Sequence, residues 1–508
     1  MPERLPPRLP SRHRWRRAAA AALPLLFLLL AAPPPAAAAT ARPAVSPSAN
    51  TPANKYADID AYVRDRMAAT DTPGLSYAVV GPDGPLHQRA WGTDGRGDRV
   101  TADTPFLWGS VAKPIAATAV LALAEEGRLG LDDPVVDHLP RFRFGGTDHA
   151  PRVTVRHLLA QTAGIPESAT LKVTDCLDAD CPRPRDRVAV LDDVTPLGPP
   201  GTAYAYSSAN YLLLAAVVEA ATGRSYPDEL RRTVLAPAGM SEAIVDRASA
   251  RSRRLAPGHQ LLWGMPAAIA DGVDDHGAAY GYTGGDLDDL AAFAAFQLRA
   301  AAPVLTPESV RLMRQEGKAG SGYGLGWRVG GLAAPLDKAV WHTGASPGQS
   351  AMVFLLPERG VALVLQQNLY GLLQDDAIMQ VGFGAARMLA GAPRPDADSP
   401  SATTHHLTVW TTTSLAVLLL AATTRSLLLL RTPARRHRWL PTTLWCLLGA
   451  LPLVALAALA RAMPLGQAWT WVPDAALALY VASAAGAVLL VVRVWLTLRS
   501  RRRDHPVA

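Results

Sequence analysis

Three apolar stretches in the last hundred residues constrain this chain more than any other feature. They lie at residues 407–424, 440–460 and 475–492. Each is close to the ~20 residues that a helix needs to cross a bilayer. Almost no ionisable residue stands in the middle of any stretch, which favours a membrane anchor over a transporter. Buried helices of a soluble protein are the alternative.

The charges between these stretches predict their orientation. Arginines crowd the first connection, at residues 425–438, and the C-terminal tail, whereas the second connection holds only Arg461, near Trp469 and Trp471. Positively charged connections stay on the cytoplasmic side, and tryptophans are typical of the membrane interface. We therefore expect a multi-pass anchor at 407–508 in the cell membrane, with the preceding region on the extracytoplasmic side.

The N-terminus independently predicts export. Residues 1–39 combine an arginine-rich start, an apolar run at 18–32 and small residues up to Ala39, as in a secretory signal peptide. A signal-anchor that is never cleaved and a cytosolic helix are the alternatives, although the prolines at 33–35 argue against a continuing helix. Residues 40–54 are rich in Pro, Ala and Ser, which is typical of a flexible linker.

The region from 55 to 390 is long enough to bury one large core, and a second proline-containing linker, 391–406, follows it. The formal charge of +7 would suit a nucleic-acid binder if the basic residues lay in this region. They lie at the two ends of the chain, and the middle keeps about 33 basic and about 40 acidic residues. This balance excludes nucleic acid as an expected partner.

Periodicity within 55–390 predicts an α+β fold. Alternating apolar residues around short turns predict one antiparallel hairpin at 75–91 and another at 350–366. Helical patterns dominate between them, at 115–127, 155–161, 210–223 and 287–298. We expect one antiparallel sheet built from both ends of the region and flanked by helices, with a helical subdomain inserted between.

Two of the three cysteines, Cys176 and Cys181, lie close together in a polar stretch, while Cys446 falls in an apolar one. In an exported protein the first pair predicts a short-loop disulfide. Two free thiols, or part of a metal site, are the alternatives.

One serine and one lysine are placed for nucleophilic chemistry. Ser110 stands where an extended stretch runs into a helix, and Lys113, three residues on, lies on the same face. The chain has only five lysines, and lysine, unlike arginine, can lose its proton when desolvated and so activate a serine. A surface lysine one turn into a helix is the alternative for this spacing alone.

Two further segments offer polar groups. Tyr206 precedes a predicted helix start, and a tyrosine acts as a base only if cations lower its pKa, for which Lys113 is the expected source. His342 and Thr343 lie on a predicted edge strand, and the amide of Ala345 on that strand is placed to face an oxyanion. A packing aromatic and an ordinary polar histidine are the alternatives.

Ser346 lies in a G-x-S-x-G pattern, at residues 344–348, that α/β-hydrolases also carry. That pattern needs a strand, an elbow and a helix, with the triad histidine later in the chain. Here a hairpin follows, and the later histidines lie in linkers or beside the membrane. Ser346 is therefore not predicted as the nucleophile. The sequence also has no H-E-x-x-H, Walker or zinc-type cysteine motif.

Taken in order, Ser110/Lys113, Tyr206 and the segment His342-Thr343-Gly344 resemble the three signature elements of the serine β-lactamase and penicillin-binding protein superfamily. The branch resembled contains class C β-lactamases, D-Ala-D-Ala carboxypeptidases and related esterases. Further similar stretches are residues 106–110, 126–135, 153–159, 200–202, 239–240 and 323–327.

The resemblance implies a β-lactamase/transpeptidase-like fold and an acyl-enzyme mechanism. Ser110 would attack a carbonyl, while Lys113 and Tyr206 share its proton and pass it to the leaving group. The amides of Ser110 and Ala345 would hold the oxyanion, with His342 and Thr343 steering the substrate and helping to keep Tyr206 acidic. No metal or organic cofactor is implied.

Two departures from the family pattern bear on the substrate. Ser208 stands where family members often carry an asparagine that contacts the acyl side chain, and Asn210 is not assumed to replace it. His342 stands where many β-lactamases have lysine, which weakens the expected hold on a substrate carboxylate.

Three functions remain open from the sequence, with a small peptide, ester or β-lactam as the bound molecule. The first is an anchored hydrolase of D-alanyl peptides. The second uses the same machinery on esters or other D-amino-acid amides. The third is a non-hydrolysing sensor or scaffold that signals through the anchor. The sequence leaves the oligomeric state open.

Overall fold

A six-stranded antiparallel sheet is assembled from the two ends of the 55–390 region, as predicted. The computed structural model describes residues 56–396, 403–431 and 439–504, so the predicted signal peptide and first linker lie outside the described residues. The strand order is β2-β1-β10-β9-β8-β7. These strands are β1 (Gly74–Gly81), β2 (Gly84–Gly92), β7 (Arg328–Val329), β8 (Val340–Ser346), β9 (Gln349–Leu356) and β10 (Val361–Gln367).

Two small sheets lie outside it. One pairs β3 (Phe106–Leu107) with β6 (Gly284–Gly285), and the other pairs β4 (Gly258–Leu262) with β5 (Met265–Ala270).

Both faces of the sheet are buried at its central strands, because apolar residues stand at successive positions of β1, β9 and β10. Every residue of β1 and of β9 is buried. Tyr77 and Phe354 pack on one face against two terminal helices, whereas Ala78 and Val353 face the larger core of the inserted helices. Side chains of a strand alternate between faces, so this sheet separates two apolar layers.

The helices of seven or more residues among the described residues follow in chain order. They are α1 (Ala57–Ala69), α2 (Ala112–Glu125), α3 (Ala209–Thr222), α4 (Leu287–Leu298), α5 (Pro307–Met313), α6 (Asp375–Leu389), α7 (Thr403–Leu430), α8 (Trp439–Ala462), α9 (Leu465–Trp471) and α10 (Pro473–Asp504). Shorter helical turns cover Gly109–Val111, Val135–His138, Ala150–Arg152, Val155–Leu159, Glu167–Ala169, Thr170–Val173, Pro184–Arg187, Val188–Asp193, Tyr226–Leu230, Arg231–Leu235, Ala236–Ala238, Arg247–Ser252, Pro357–Arg359 and Leu372–Gln374.

The α+β prediction is therefore confirmed, including the helical subdomain between the two hairpins. Helices α1 and α6 cover one face of the sheet, where the Tyr62 hydroxyl donates to the backbone oxygen of Gln380 at 3.0 Å. Helices α2, α3 and α4 belong to the core on the other face. The start of α2 points toward the open edge of β8, and this arrangement determines where the candidate site lies.

Three C-terminal helices are long and apolar enough to cross a membrane, at Thr403–Leu430, Pro441–Ala462 and Pro473–Ser500. Their mutual contacts use small residues, including Gly449 and Gly486, whose backbones approach too closely to admit a methyl group. Leu444 and Leu447 remain about two-thirds exposed, at 67% and 64%. Exposed apolar side chains in such numbers suit a lipid environment.

The first of these helices begins earlier than expected. Helix α7 starts at Thr403, so the predicted linker 391–406 is wrong over its last four residues. The sequence did not predict this first helical turn because its side chains are polar. His405 is nevertheless buried there. Its Nε2 lies 3.0 Å from the Asp474 carboxylate, and its Nδ1 accepts from Gln374 at 2.8 Å.

The β4–β5 hairpin continues this polar junction between the domain and the C-terminal helices. The backbone N–H of Trp263, at the hairpin tip, donates to Asp474 Oδ2 at 3.0 Å. Its indole N–H donates to Thr413 Oγ1 in α7 at 2.9 Å. The domain is thus joined to the first and third apolar helices by directional hydrogen bonds.

Candidate active site

The chain places Ser110 in a short helical turn, Gly109–Val111, between β3 and α2. Alanine-rich α2 is buried along all its residues from Ala112 to Leu123, so its start is fixed within the core. Trp108 is also fully buried, and its indole donates to Gln366 Oε1 in β10 at 2.8 Å. The serine is therefore held rigidly at the junction of sheet and helical subdomain.

Lys113 is fully buried beside this serine, with its Nζ 2.8 Å from Ser110 Oγ. Nζ also donates to the Tyr280 backbone oxygen at 2.8 Å and to Ser208 Oγ at 3.1 Å. Burial holds the pKa of Lys113 well below its usual range, an effect that the Asp175 carboxylate opposes and Arg328 reinforces. In the neutral amine, two N–H groups serve Tyr280 and Ser208, and the lone pair is left for the Ser110 proton.

The structure brings Tyr206 to the same serine from the segment before α3. Lys113 Nζ lies 5.0 Å from the centroid of its ring. Burial raises the pKa of Tyr206, although a hydrogen bond with Ser110 and the nearby Arg328 guanidinium oppose the rise. The expectation that Lys113 keeps this phenol acidic is therefore wrong, because the loss of hydration outweighs the Ser110 hydrogen bond and the Arg328 charge. A protonated phenol suits proton donation.

Two glycines allow strand β8 to touch the serine turn. A Cβ on Gly344 would lie 2.0 Å from the Trp108 backbone oxygen and 2.6 Å from the Ser110 amide nitrogen. A Cβ on Gly109, which has φ +54°, would lie 2.1 Å from the Ala345 amide nitrogen. Beyond Trp341, β8 pairs only with β9 among the described residues. Ser110 and Ala345 are thus close together and both line the same cavity, so their amides are candidates for holding an oxyanion.

His342 lies on strand β8, as expected, but its side chain is buried. Its side chain is 1% exposed, with Nδ1 2.6 Å from the Thr343 backbone oxygen and Nε2 3.3 Å from the Tyr323 hydroxyl. Burial, together with Arg328 and Lys113, holds the pKa of His342 well below its usual range. The imidazole is thus neutral at physiological pH and cannot serve as a cation for the substrate. Thr343, its neighbour on β8, is only half-buried.

Ser208 and Asn210 lie in different surroundings. Ser208 lines the cleft and contacts Lys113, whereas the fully buried Asn210 donates to Gln161 Oε1 at 2.6 Å. Asn210 therefore does not replace the asparagine that family members carry at the position of Ser208.

A cavity of about 450 Å³ opens from Ser110. Its wall includes the predicted residues Tyr206, Ser208 and Ala345. It also includes Asp175 and Tyr280, which the sequence did not single out, and Ser346 and Trp471, for which the sequence did not predict a place in the site. Among the described residues, the buried Ser346 hydroxyl has no hydrogen-bond partner, so it is available to a ligand. Ser346 was considered only as a nucleophile, and no pattern signalled a binding role.

Arg328 was also missed, although it follows directly on the family-like stretch at 323–327. Its guanidinium carbon lies 5.4 Å from the Tyr206 ring centroid and 5.3 Å from that of Trp341. Arginine stays protonated, so Arg328 supplies a permanent positive charge beside the Tyr206 ring.

The wall near Asp175 is braced by covalent and ionic links. A disulfide joins Cys176 to Cys181. Arg187 and Asp274 form a buried ion pair, and the Cys176 amide donates to Asp274 Oδ2 at 3.0 Å. No group of three or more His, Cys, Asp or Glu side chains within the described residues is arranged to hold a metal ion.

Comparisons with known proteins agree with this geometry. A family model described as Beta-lactamase matches residues 59–380. Penicillin-binding protein 4 of Amycolatopsis lactamdurans is 32% identical over 359 residues, which cover 66% of this chain and 91% of that protein. Protein flp of Staphylococcus aureus is 25% identical over 61% of this chain and 62% of its own length.

Solved structures share the fold. The octameric penicillin-binding protein homologue from Pyrococcus abyssi has a TM-score of 0.59 at 21% identity, over 70% of this chain and 81% of that one. SurE has a TM-score of 0.53 at 27% identity, over 68% and 78%. Since the family model spans more than half of the residues and the signature side chains converge on one cleft, the chain belongs to the beta-lactamase family of transpeptidase-like serine hydrolases.

Proposed function

We propose that this protein is a membrane-anchored, extracytoplasmic serine hydrolase that works through an acyl-enzyme on Ser110. The observation that carries the proposal is the buried Lys113 amine, 2.8 Å from the Ser110 hydroxyl and with a lowered pKa. A neutral lysine at that distance takes the serine proton as the hydroxyl attacks a carbonyl carbon.

The remaining groups act around that proton transfer. The Ser110 and Ala345 amides stabilise the negative charge on the former carbonyl oxygen. When the tetrahedral intermediate collapses, the Tyr206 phenol donates a proton to the leaving group and recovers one from Lys113. Water then attacks the acyl-enzyme by the reverse sequence and releases the acid.

D-alanyl peptides are the leading substrate class, and β-lactams are their expected mimics. Support comes from the 32% identity to Penicillin-binding protein 4. Esters are the second candidate, which is favoured by the neutral His342, because this residue cannot pair with a peptide carboxylate as a charged residue would. Arg328 is the remaining cation of this region for a substrate carboxylate.

Two features support the extracytoplasmic side. The Cys176–Cys181 disulfide is suited to an oxidising compartment. Helix α7 leaves the domain at Thr403, and the connection from α8 to α10 also contacts the domain, through Gln467 and Trp471. The C-terminal end of α7 therefore lies at the opposite end of the bundle. The arginines that follow it in the sequence favour the cytoplasm for that end, by the positive-inside rule.

The test labels the full-length protein, in detergent, with a fluorescent penicillin and a fluorophosphonate, beside Ser110→Ala. Turnover is then measured on a D-Ala-D-Ala peptide and a nitrophenyl ester. We expect labelling and turnover that Ser110→Ala abolishes. Labelling without turnover would favour a sensor, and ester turnover without peptide cleavage would favour an esterase. Labelling that survives Ser110→Ala would refute the assignment of the nucleophile.

A further inference from the structure

The cavity that opens from Ser110 is walled in part by the membrane anchor. Ala462 and Met463, at the end of α8, and Trp471, at the end of α9, line the same space as the Ser110 hydroxyl. The second interhelical connection was expected only to place tryptophans at the bilayer interface. It instead turns Trp471 toward the domain, while Trp469 remains 52% exposed.

Hydrogen bonds fix this connection against the catalytic domain. The Trp471 indole donates to Asp175 Oδ2 at 3.1 Å, and Gln467 Nε2 donates to the Thr174 backbone oxygen at 3.0 Å. In the opposite direction, Gln260 Nε2 donates to the Thr470 backbone oxygen at 2.6 Å. Contacts from two separate parts of the domain thus hold the segment from Gln467 to Trp471 in place, so this segment is a fixed part of the cleft wall.

The wall is apolar where the anchor forms it. Trp471 packs edge-on against Tyr370, with ring centroids 5.9 Å apart, and Leu372 lines the same cavity while remaining 44% exposed. Met463 completes this surface. Ligand sites combine such apolar walls with a few polar groups, which here are those around Ser110.

The anchor wall lies on the lysine side of the nucleophile. Lys113 contacts Tyr280, the Tyr280 hydroxyl accepts from the Asp175 amide at 2.8 Å, and Asp175 accepts from Trp471. Tyr206, the proton donor for the leaving group, is instead surrounded by the rings of Tyr323 and His342 and by Arg328. The anchor wall is thus linked by contacts to the proposed base, whereas the groups named around the proposed proton donor all belong to the domain.

We propose that Met463, Trp471, Tyr370 and Leu372 form a subsite for an aliphatic chain on the acyl part of the substrate. This inference rests on the proposed serine hydrolase function and narrows it to amphiphilic esters or amides with a chain of several carbons. Such molecules partition into the bilayer, next to which the anchor places this wall. Each methylene moved from water to the wall favours binding about threefold to fourfold when it is fully buried.

The test measures kcat/KM for nitrophenyl acetate, butanoate and octanoate, with the full chain in lipid nanodiscs. We expect the wild type to prefer octanoate to acetate by tenfold or more. Trp471→Ala and Met463→Gln should each lower kcat/KM for octanoate at least fivefold and change that for acetate less than threefold. Trp471→Phe should retain most of the preference, since the ring still fills the wall.

Trp469→Ala is the matched control, because this exposed tryptophan lies two residues away on the same helix and does not line the cavity. It should leave the whole series unchanged. A flat chain-length series with acetate turnover that depends on Ser110 would overturn the subsite alone. Equal losses on acetate and octanoate in Trp471→Ala would show a structural role instead. If no ester is hydrolysed and a fluorophosphonate does not label Ser110, the proposed function fails and the subsite fails with it.

Discussion

Replacing Gly344 with alanine tests the link between sheet geometry and chemistry. The new methyl group would lie 2.0 Å from the Trp108 backbone oxygen and 2.6 Å from the Ser110 nitrogen, where ordinary contacts begin at 3.4 Å. Strand β8 and the serine turn must then separate by about 1 Å or more. The Ala345 amide moves with its strand, so the gap for the oxyanion widens.

The size of the effect follows from this displacement. Loss of one oxyanion donor costs about 10²–10³ in rate, or roughly 3–4 kcal/mol of transition-state stabilisation. Overpacking adds about 1–3 kcal/mol of destabilisation to the fold. We therefore expect kcat/KM of Gly344→Ala to fall by about two to three orders of magnitude, with a thermal midpoint lower by several degrees.

The assay combines ester turnover with thermal unfolding followed by circular dichroism, at a temperature where the variant remains folded. Gly81→Ala is the control in the same sheet, since its methyl group would meet only the flexible Leu86 side chain at 3.4 Å. It should change kcat/KM less than threefold. A folded Gly344→Ala protein with nearly wild-type kcat/KM would refute the assignment of the oxyanion gap.

Three further predictions concern buried ionisable side chains. Arginine in Lys113→Arg cannot lose its proton, so the rate of acylation by a fluorescent penicillin should fall about 10²–10⁴-fold. A smaller loss would show that the Lys113 amine is not the base. In the wild type, kcat/KM should rise with pH as Lys113 loses its proton. Because burial lowers the pKa of Lys113, this rise should be complete well below pH 10.5. A rise centred near pH 10.5 would contradict the prediction. Arg187→Met leaves the Asp274 carboxylate buried without its partner, so denaturant unfolding should show a loss of about 3–5 kcal/mol, and an unchanged midpoint would show that the ion pair is dispensable.

Local patterns were sufficient to predict the sheet and the three long apolar helices. Alternating apolar residues identified both hairpins, and β9 (Gln349–Leu356) lies within a residue of its predicted position. The uninterrupted apolar stretches identified the three long helices. Helix α7 starts before its apolar stretch because His405 and Asp474 satisfy each other, which is a tertiary contact without a local signal.

For the candidate site, the sequence predicted which residues come together better than it predicted their protonation. Ser110, Lys113 and Tyr206 were identified from the order of short motifs, and the structure brings them together. Protonation depends on burial, which a motif does not encode, and the expectations for Tyr206 and His342 failed for that reason. The contribution of Trp471 was missed because it depends on contacts across about 300 residues of sequence, such as the indole donating to Asp175.

The hydrogen-bonded junction between the β4–β5 hairpin and the apolar helices sets the reach of this protein. A catalytic domain joined to membrane helices by a flexible linker can reach molecules far from the bilayer. Here hydrogen bonds of Trp263 and His405 join the domain directly to the apolar helices. Under the proposed membrane anchoring, the cleft would therefore stay close to the lipid surface, and this distance would limit which substrates it reaches before any chemical selectivity applies.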